Sequence, residues 1–193
     1  TLRGNIAHRA IEATFRDGVR PDLRELAHEE SERALDVATL GQVVEEVTEI
    51  LDRFDESAIA AEIHAAGERA WFELPFAWDW DGIPIHGSID LVYQDAAGHW
   101  HVVDFKTDRI GDGGAAAVAA RYTVQVGLYG RALEAATGVR PALGLLFLRT
   151  GELVTPGERE VDQALATARE RVDAAALVDT DEPEYAEILE DAV

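Results

Sequence analysis

The 193-residue chain predicts an α/β fold, on three observations. Its first third repeats apolar residues at helical spacing. Three β-rich runs joined by hairpin signals come next. A helical segment then separates those runs from a continuous apolar stretch with the character of a fully buried strand.

Taken in order, residues 4–17 place Ile6, Ala7, Ala10, Ile11, Ala13 and Phe15 largely on one side of a helix, with Asn5 as candidate cap. Pro21 opens a second, polar and acidic helix running to about Ala38. Leu40, Val43, Val44, Val47, Ile50 and Leu51 mark a third over 39–54, and a short fourth covers 57–67. From Ala70 the texture changes to WFELPFAWDW, IPIHGSIDLVYQ and HWHVVDFK, separated by Asp81-Gly82 and by Asp95-Ala96-Ala97-Gly98. These spacings predict an antiparallel meander. A glycine- and alanine-rich connection leads to a helix over about 117–137, ended by Gly138 and Pro141. ALGLLFLRT then reads as the buried strand, 158–176 as a last helix, and 180–193 as an acidic tail or linker. The whole reads as one domain, with a helical part over 1–69, a core over 70–150 and a helical C-terminal part over 151–193.

Composition narrows the function. No cysteine is present, which removes disulfides, thiol nucleophiles and cysteine-ligated zinc or iron-sulfur clusters. No apolar run reaches membrane-spanning length and no signal-peptide layout opens the chain, so a cytoplasmic setting is expected. With no methionine, the chain is expected to be a piece of a longer polypeptide. The net charge of −21 argues against generic attraction to phosphates. Such acidity with so little lysine fits either a high-salt cytoplasm or a genome that favours arginine codons.

Lys106 is the single lysine, in WHVVDFKTD. Residues two apart on a strand share a face, so Asp104 and Lys106 project side by side, roughly 7 Å apart along the chain, with Phe105 opposite. Asp90 lies on the neighbouring strand between Ile89 and Leu91, where a carboxylate needs compensation. A plain salt bridge from Lys106 to Asp104 or Asp90 would satisfy these residues. Two converging carboxylates are also hard oxygen ligands for Mg2+ or Mn2+, and a lysine beside them can orient an attacking water or stabilise charge on a phosphate.

The ordered set GNIAHRAIE, ELPF, GSIDLV, VVDFKTD and YTVQVGLY resembles the PD-(D/E)xK nucleases, in particular the RecB-like branch carried by RecB/AddA-type helicase-nucleases. The resemblance runs from about Gly4 to about Leu148. It implies a restriction-endonuclease-like core with a mixed central sheet flanked by helices. It also implies that His8, Asp90 and Asp104, with the Phe105 carbonyl, bind Mg2+ or Mn2+ and that Lys106 is the catalytic lysine. Glu73, Tyr122, Gln125 and Tyr129 are possible further site residues, with core or strand-surface roles as the alternatives. His86, His99 and His101 match no motif and are expected on the surface.

The resemblance further implies a DNA nuclease, an exonuclease sooner than a strict endonuclease, acting on single strands delivered by an attached helicase during double-strand break repair. The missing cysteines set the chain apart from RecB-like relatives with an iron-sulfur cluster. Two other classes remain: a catalytically silent DNA-binding or helicase-docking domain, and an acidic protein-interaction module. An intact Asp90, Asp104 and Lys106 set speaks against the first. The second gives no reason for a sole lysine at that address.

Overall fold

A computed structural model describes residues 1–31 and 33–178. Four helices come first: α1 (Leu2–Asp17), α2 (Leu23–Glu30), α3 (Val37–Asp55) and α4 (Ala58–Ala66). Strands β1 (Ala70–Trp80), β2 (Ile83–Gln94) and β3 (Trp100–Lys106) follow, then helices α5 (Gly114–Ala119) and α6 (Thr123–Thr137), strands β4 (Ala142–Phe147) and β5 (Glu152–Val154), and helix α7 (Glu158–Val178). The strands form one sheet in the order β1-β2-β3-β4-β5, antiparallel except for the parallel β3–β4 pair. The sheet is therefore mixed, with the predicted meander at one side.

Helices cover both faces. Ile6, Ile11, Val43, Val47, Ile50 and Ile63 from α1, α3 and α4 pack on Leu91, Tyr93, Val103, Phe105 and Leu146. On the other face Ala115 and Ala119 of α5 and Val126 and Leu133 of α6 meet Val92, Val102, Leu145 and Phe147. Helix α7 covers α6 through Val161, Leu165, Ala168 and Val172. Two glycines let α6 sit this close: a Cβ on Gly130 would fall 2.7 Å from Leu143 Cδ2, and one on Gly127 2.9 Å from Val161 Cγ1. These distances lie well inside ordinary carbon contact.

Several boundaries differ from the sequence expectation. Helix α1 starts earlier, capped by Thr1 rather than Asn5. The second helix ends at Glu30, eight residues before Ala38, because Asp36 turns extended and caps α3 by accepting from the Ala38 and Thr39 N–H groups. The helix expected over 117–137 is broken at a 3-10 turn, Ala120–Tyr122, into α5 and α6. Strand β5 was unforeseen. It is three residues long, too short to display a period. The acidic 180–193 segment lies outside the described residues.

Candidate active site

Asp104 and Lys106 share the face of β3 that looks toward α6, as period 2 requires, while Phe105 enters the core beneath α1 and α3. The pairing of β2 with β3 runs from Gln94↔Trp100 only as far as Leu91↔Val103. Past that pair the strands separate, and the Phe105 N–H donates instead to the Asp90 side chain, with Oδ2 at 2.7 Å. The two carboxylates stand where the sheet opens.

The β1–β2 ladder is interrupted at the same level. Phe72 pairs with Leu91 and Leu74 with Ile89, but Glu73 between them has φ +46° and makes no ladder pair. Phe72 and Leu91 pack toward the N-terminal helices, whereas Leu74, Phe76 and Ile89 pack toward α5 and α6. Both strands thus switch faces here. The sequence alternation, which put Phe72, Leu74 and Phe76 on one face, is corrected accordingly.

The switch brings Glu73 into the cleft, where its Oε2 accepts from Ser88 Oγ at 2.9 Å. From the other side α1 presents His8, its ring edge-on to Phe105 at 5.6 Å and Nδ1 3.6 Å from Asp90 Oδ1. One ligand atom each from His8, Glu73 and Asp90 lies within 4.8 Å of the others, the only such group among the described residues. Asp104 adjoins this group from β3. It is 3% exposed, and its Oδ2 lies 2.8 Å from Lys106 Nζ. That contact is close enough for an ion pair but not aligned as a hydrogen bond, and no other donor reaches the oxygen.

Burial governs the charges. It pushes the Asp90 carboxyl up to about 6; Glu73 adds to this, against the Phe105 N–H and Lys106. Burial likewise pushes Asp104 up to about 6, aided by the neighbouring Asp90 charge and opposed by Lys106. The His8 imidazole is lowered by burial, against the pull of Asp104 and Glu73 and of its hydrogen bond to the Phe105 backbone. A neutral imidazole is the ligand form, and a divalent cation would favour both carboxylates as anions. A buried carboxylate with an orphaned oxygen, a half-buried one, an exposed one and an imidazole therefore fit Mg2+ or, because it accepts nitrogen more readily, Mn2+.

Helix α6 and the turn before it close the site over Lys106. Gln125 Oε1 accepts from Nζ at 2.7 Å, and its Nε2 donates to the Tyr129 hydroxyl at 3.1 Å. Tyr122 sets its ring 3.8 Å from Nζ. The segment after β3 is pinned as well: Arg149 Nε donates to the Thr107 carbonyl at 2.8 Å, and a Cβ on Gly4 would come 2.9 Å from Thr107 Oγ1. Gly4 in GNIAH thus lets α1 approach the strand end that carries Lys106.

All the residues singled out from the sequence, His8, Glu73, Asp90, Asp104, Phe105, Lys106, Tyr122, Gln125 and Tyr129, gather here. Ser88 and Asp108 were missed; Asp108 adds nothing to the strand pattern, and only its place beside the sole lysine could have drawn notice. Of the histidines left to the surface, His99 and His101 both meet Asp95 Oδ2, at 3.0 and 3.3 Å, and His101 stacks on Tyr93 at 4.5 Å. His101 is part of the structure of the hairpin rather than bare surface.

Carboxylates, an imidazole and a lysine at the opened end of a mixed sheet, between helices, make a nuclease-type centre. Comparison with known proteins agrees: the family model of the PD-(D/E)XK nuclease superfamily matches residues 1–192, and the chain belongs to that superfamily. The chain is 44% identical over 66 positions to an ATP-dependent helicase/nuclease protein of Desulforudis audaxviator (strain MP104C). That match takes in 34% of this chain and 5% of the relative. Among solved structures, a candidate exonuclease from Eubacterium rectale superposes with a TM-score of 0.56 at 11% identity, over 99% of this chain and 69% of that one. The fold is the restriction-endonuclease-like α/β core.

Proposed function

We propose that the chain is one metal-dependent deoxyribonuclease domain that hydrolyses phosphodiester bonds, preferentially trimming single strands fed to it by a helicase of the same polypeptide or complex. The observation that carries this reading is the convergence of His8, Glu73, Asp90 and Asp104 beside Lys106 where β2 and β3 part. His8, Asp90 and Asp104, with the Phe105 carbonyl and Glu73, would hold a divalent cation. Such an ion supplies Lewis-acid polarisation of the phosphoryl group and acidifies water.

The chain's own residues supply the rest. Lys106, steadied by Gln125 and Tyr122, places its ammonium where charge grows on the phosphate and can pass a proton, which a guanidinium could not. Burial of Asp104 and Asp90 excludes bulk water and strengthens these interactions. The attached motor is supported by the helicase/nuclease relative, and a strand held near the site by a linked motor needs little intrinsic affinity.

The test is cleavage of an end-labelled single-stranded oligonucleotide with Mg2+ or Mn2+. The wild-type domain should cut and be silenced by chelation, while Asp90→Ala, Asp104→Ala and Lys106→Ala should not cut. Undiminished cutting by any of the three removes that residue from the centre, and a wild-type chain that binds the strand without cutting it is a silent docking domain.

A further inference from the structure

Asp108 lies two residues beyond Lys106, on the segment leaving β3, and both its carboxylate oxygens reach the Tyr122 hydroxyl, Oδ1 at 2.9 Å and Oδ2 at 3.0 Å. Tyr122 stands at the break between α5 and α6, at φ −106° and ψ 2°, where no helical hydrogen bond ladder fixes it. Its ring is only half-buried. The ring nevertheless sits squarely enough to hold Lys106 Nζ 3.8 Å from its centroid. Three groups therefore confine the ammonium: Asp104 at 2.8 Å, Gln125 at 2.7 Å and the Tyr122 ring. Asp104 and Gln125 are anchored by a strand and a helix, whereas the ring depends on Asp108.

We propose that Asp108 is a positioning residue for Lys106, acting by holding the Tyr122 hydroxyl so that the ring stays beneath the ammonium. A phenol that donates to a carboxylate is fixed in orientation. It also becomes more electron-rich at its face, which strengthens the attraction of a cation there. Arg121, the other cation near this ring, is at 5.9 Å and does not displace the lysine. The inference rests on Lys106 acting in hydrolysis, but its geometric half stands apart from that activity.

The sole lysine makes a direct measurement possible. Grown with lysine labelled at the ε-carbon, the chain gives one ε-CH2 signal, which the ring current of Tyr122 should move upfield of free lysine. Asp108→Ala should return the signal most of the way to the free position, and Asp108→Asn, which keeps an acceptor for the hydroxyl, should hold it near the wild-type position. In turnover on the labelled strand, Asp108→Ala should lower kcat about tenfold with KM little changed, as slight misplacement of a catalytic group does. Asp108→Asn should recover most of it. An Asp108→Ala chain with the wild-type signal, or one that changes KM alone, overturns the proposal. If the wild type does not cut, the nuclease reading fails and the lysine signal alone decides the positioning role.

Discussion

Among individual residues, Asp90 and Asp104 do different structural jobs with the same carboxyl. Asp90 accepts the Phe105 N–H that the parted strands leave over, whereas Asp104 Oδ2 has no aligned donor. Asp90→Ala should therefore orphan a buried N–H and cost about 1–3 kcal/mol of stability. Asp104→Asn should instead stabilise the metal-free domain. The folded-state pKa of Asp104 is raised, to about 6 from 3.8, so the native form keeps its proton more tightly than the unfolded chain does. Its favourable contribution is complete below about pH 4 and is lost as pH rises through 6. Relative to Asp104→Asn, the wild type should thus lose on the order of 2 kcal/mol between pH 4 and pH 7, read by urea unfolding at each pH in chelator. A difference that is flat across this range would mean that Asp104 is not buried as described. Added Mn2+ should remove the loss in the wild type, because it favours the charged carboxylate.

Between strands and helices, the informative feature is the face switch in the β1–β2 hairpin. A glutamate at φ +46° is in a region that costs a non-glycine residue of order 1–3 kcal/mol, and it is tolerated here where it turns a carboxylate into the cleft. Glu73→Gly should relieve that strain, stabilising the metal-free fold by about 1 kcal/mol while weakening Mn2+ binding. Glu73→Ala should weaken binding equally without the gain in stability. Calorimetric titration with manganese and urea unfolding of the two variants separate the effects; equal stabilities would show that the backbone at Glu73 is unstrained. The alternation of Phe72, Leu74 and Phe76 could not reveal this switch, since a period-2 pattern carries no sign of a reversal that keeps the register. The residues Asp104 and Lys106 were legible because β3 is regular over its whole length. His8 was attached to them by its motif alone, being 82 residues from Asp90 in a different layer.

For the molecule as a whole, the question is how a chain of charge −21 meets a polyphosphate. Proximity in sequence suggested Arg3, Arg9, Arg109 and Arg121 as the local cations. Two of these are occupied: Arg3 Nε is 2.9 Å from Glu46, and Arg9 spans Glu29 and Glu30 at 2.9 and 2.6 Å. Arg109 and Arg121 have no ion pair among the described residues and remain the candidates to meet a strand. Two phosphate contacts predict a single-strand binding slope of roughly −1.4 in log K against log salt. Affinity should be weak throughout a salt series measured with Asp104→Ala. Tight binding with a steep slope would reveal a basic track elsewhere and remove the need for delivery by a motor.

Local periodicity and hairpin pairing were enough to establish the order of elements, the meander, the shared face of Asp104 and Lys106 and the closeness of Asp90. The ordered motifs were enough to establish the superfamily. Four features needed the folded chain: the entry of Glu73 into the cleft, the Phe105 N–H given to Asp90, the Tyr122 hydroxyl held on Asp108 at a helix break, and the pairing of Arg3 and Arg9 with glutamates. Each of these depends on where strands part and layers meet, and so on packing between segments distant in the chain, which no local spacing encodes.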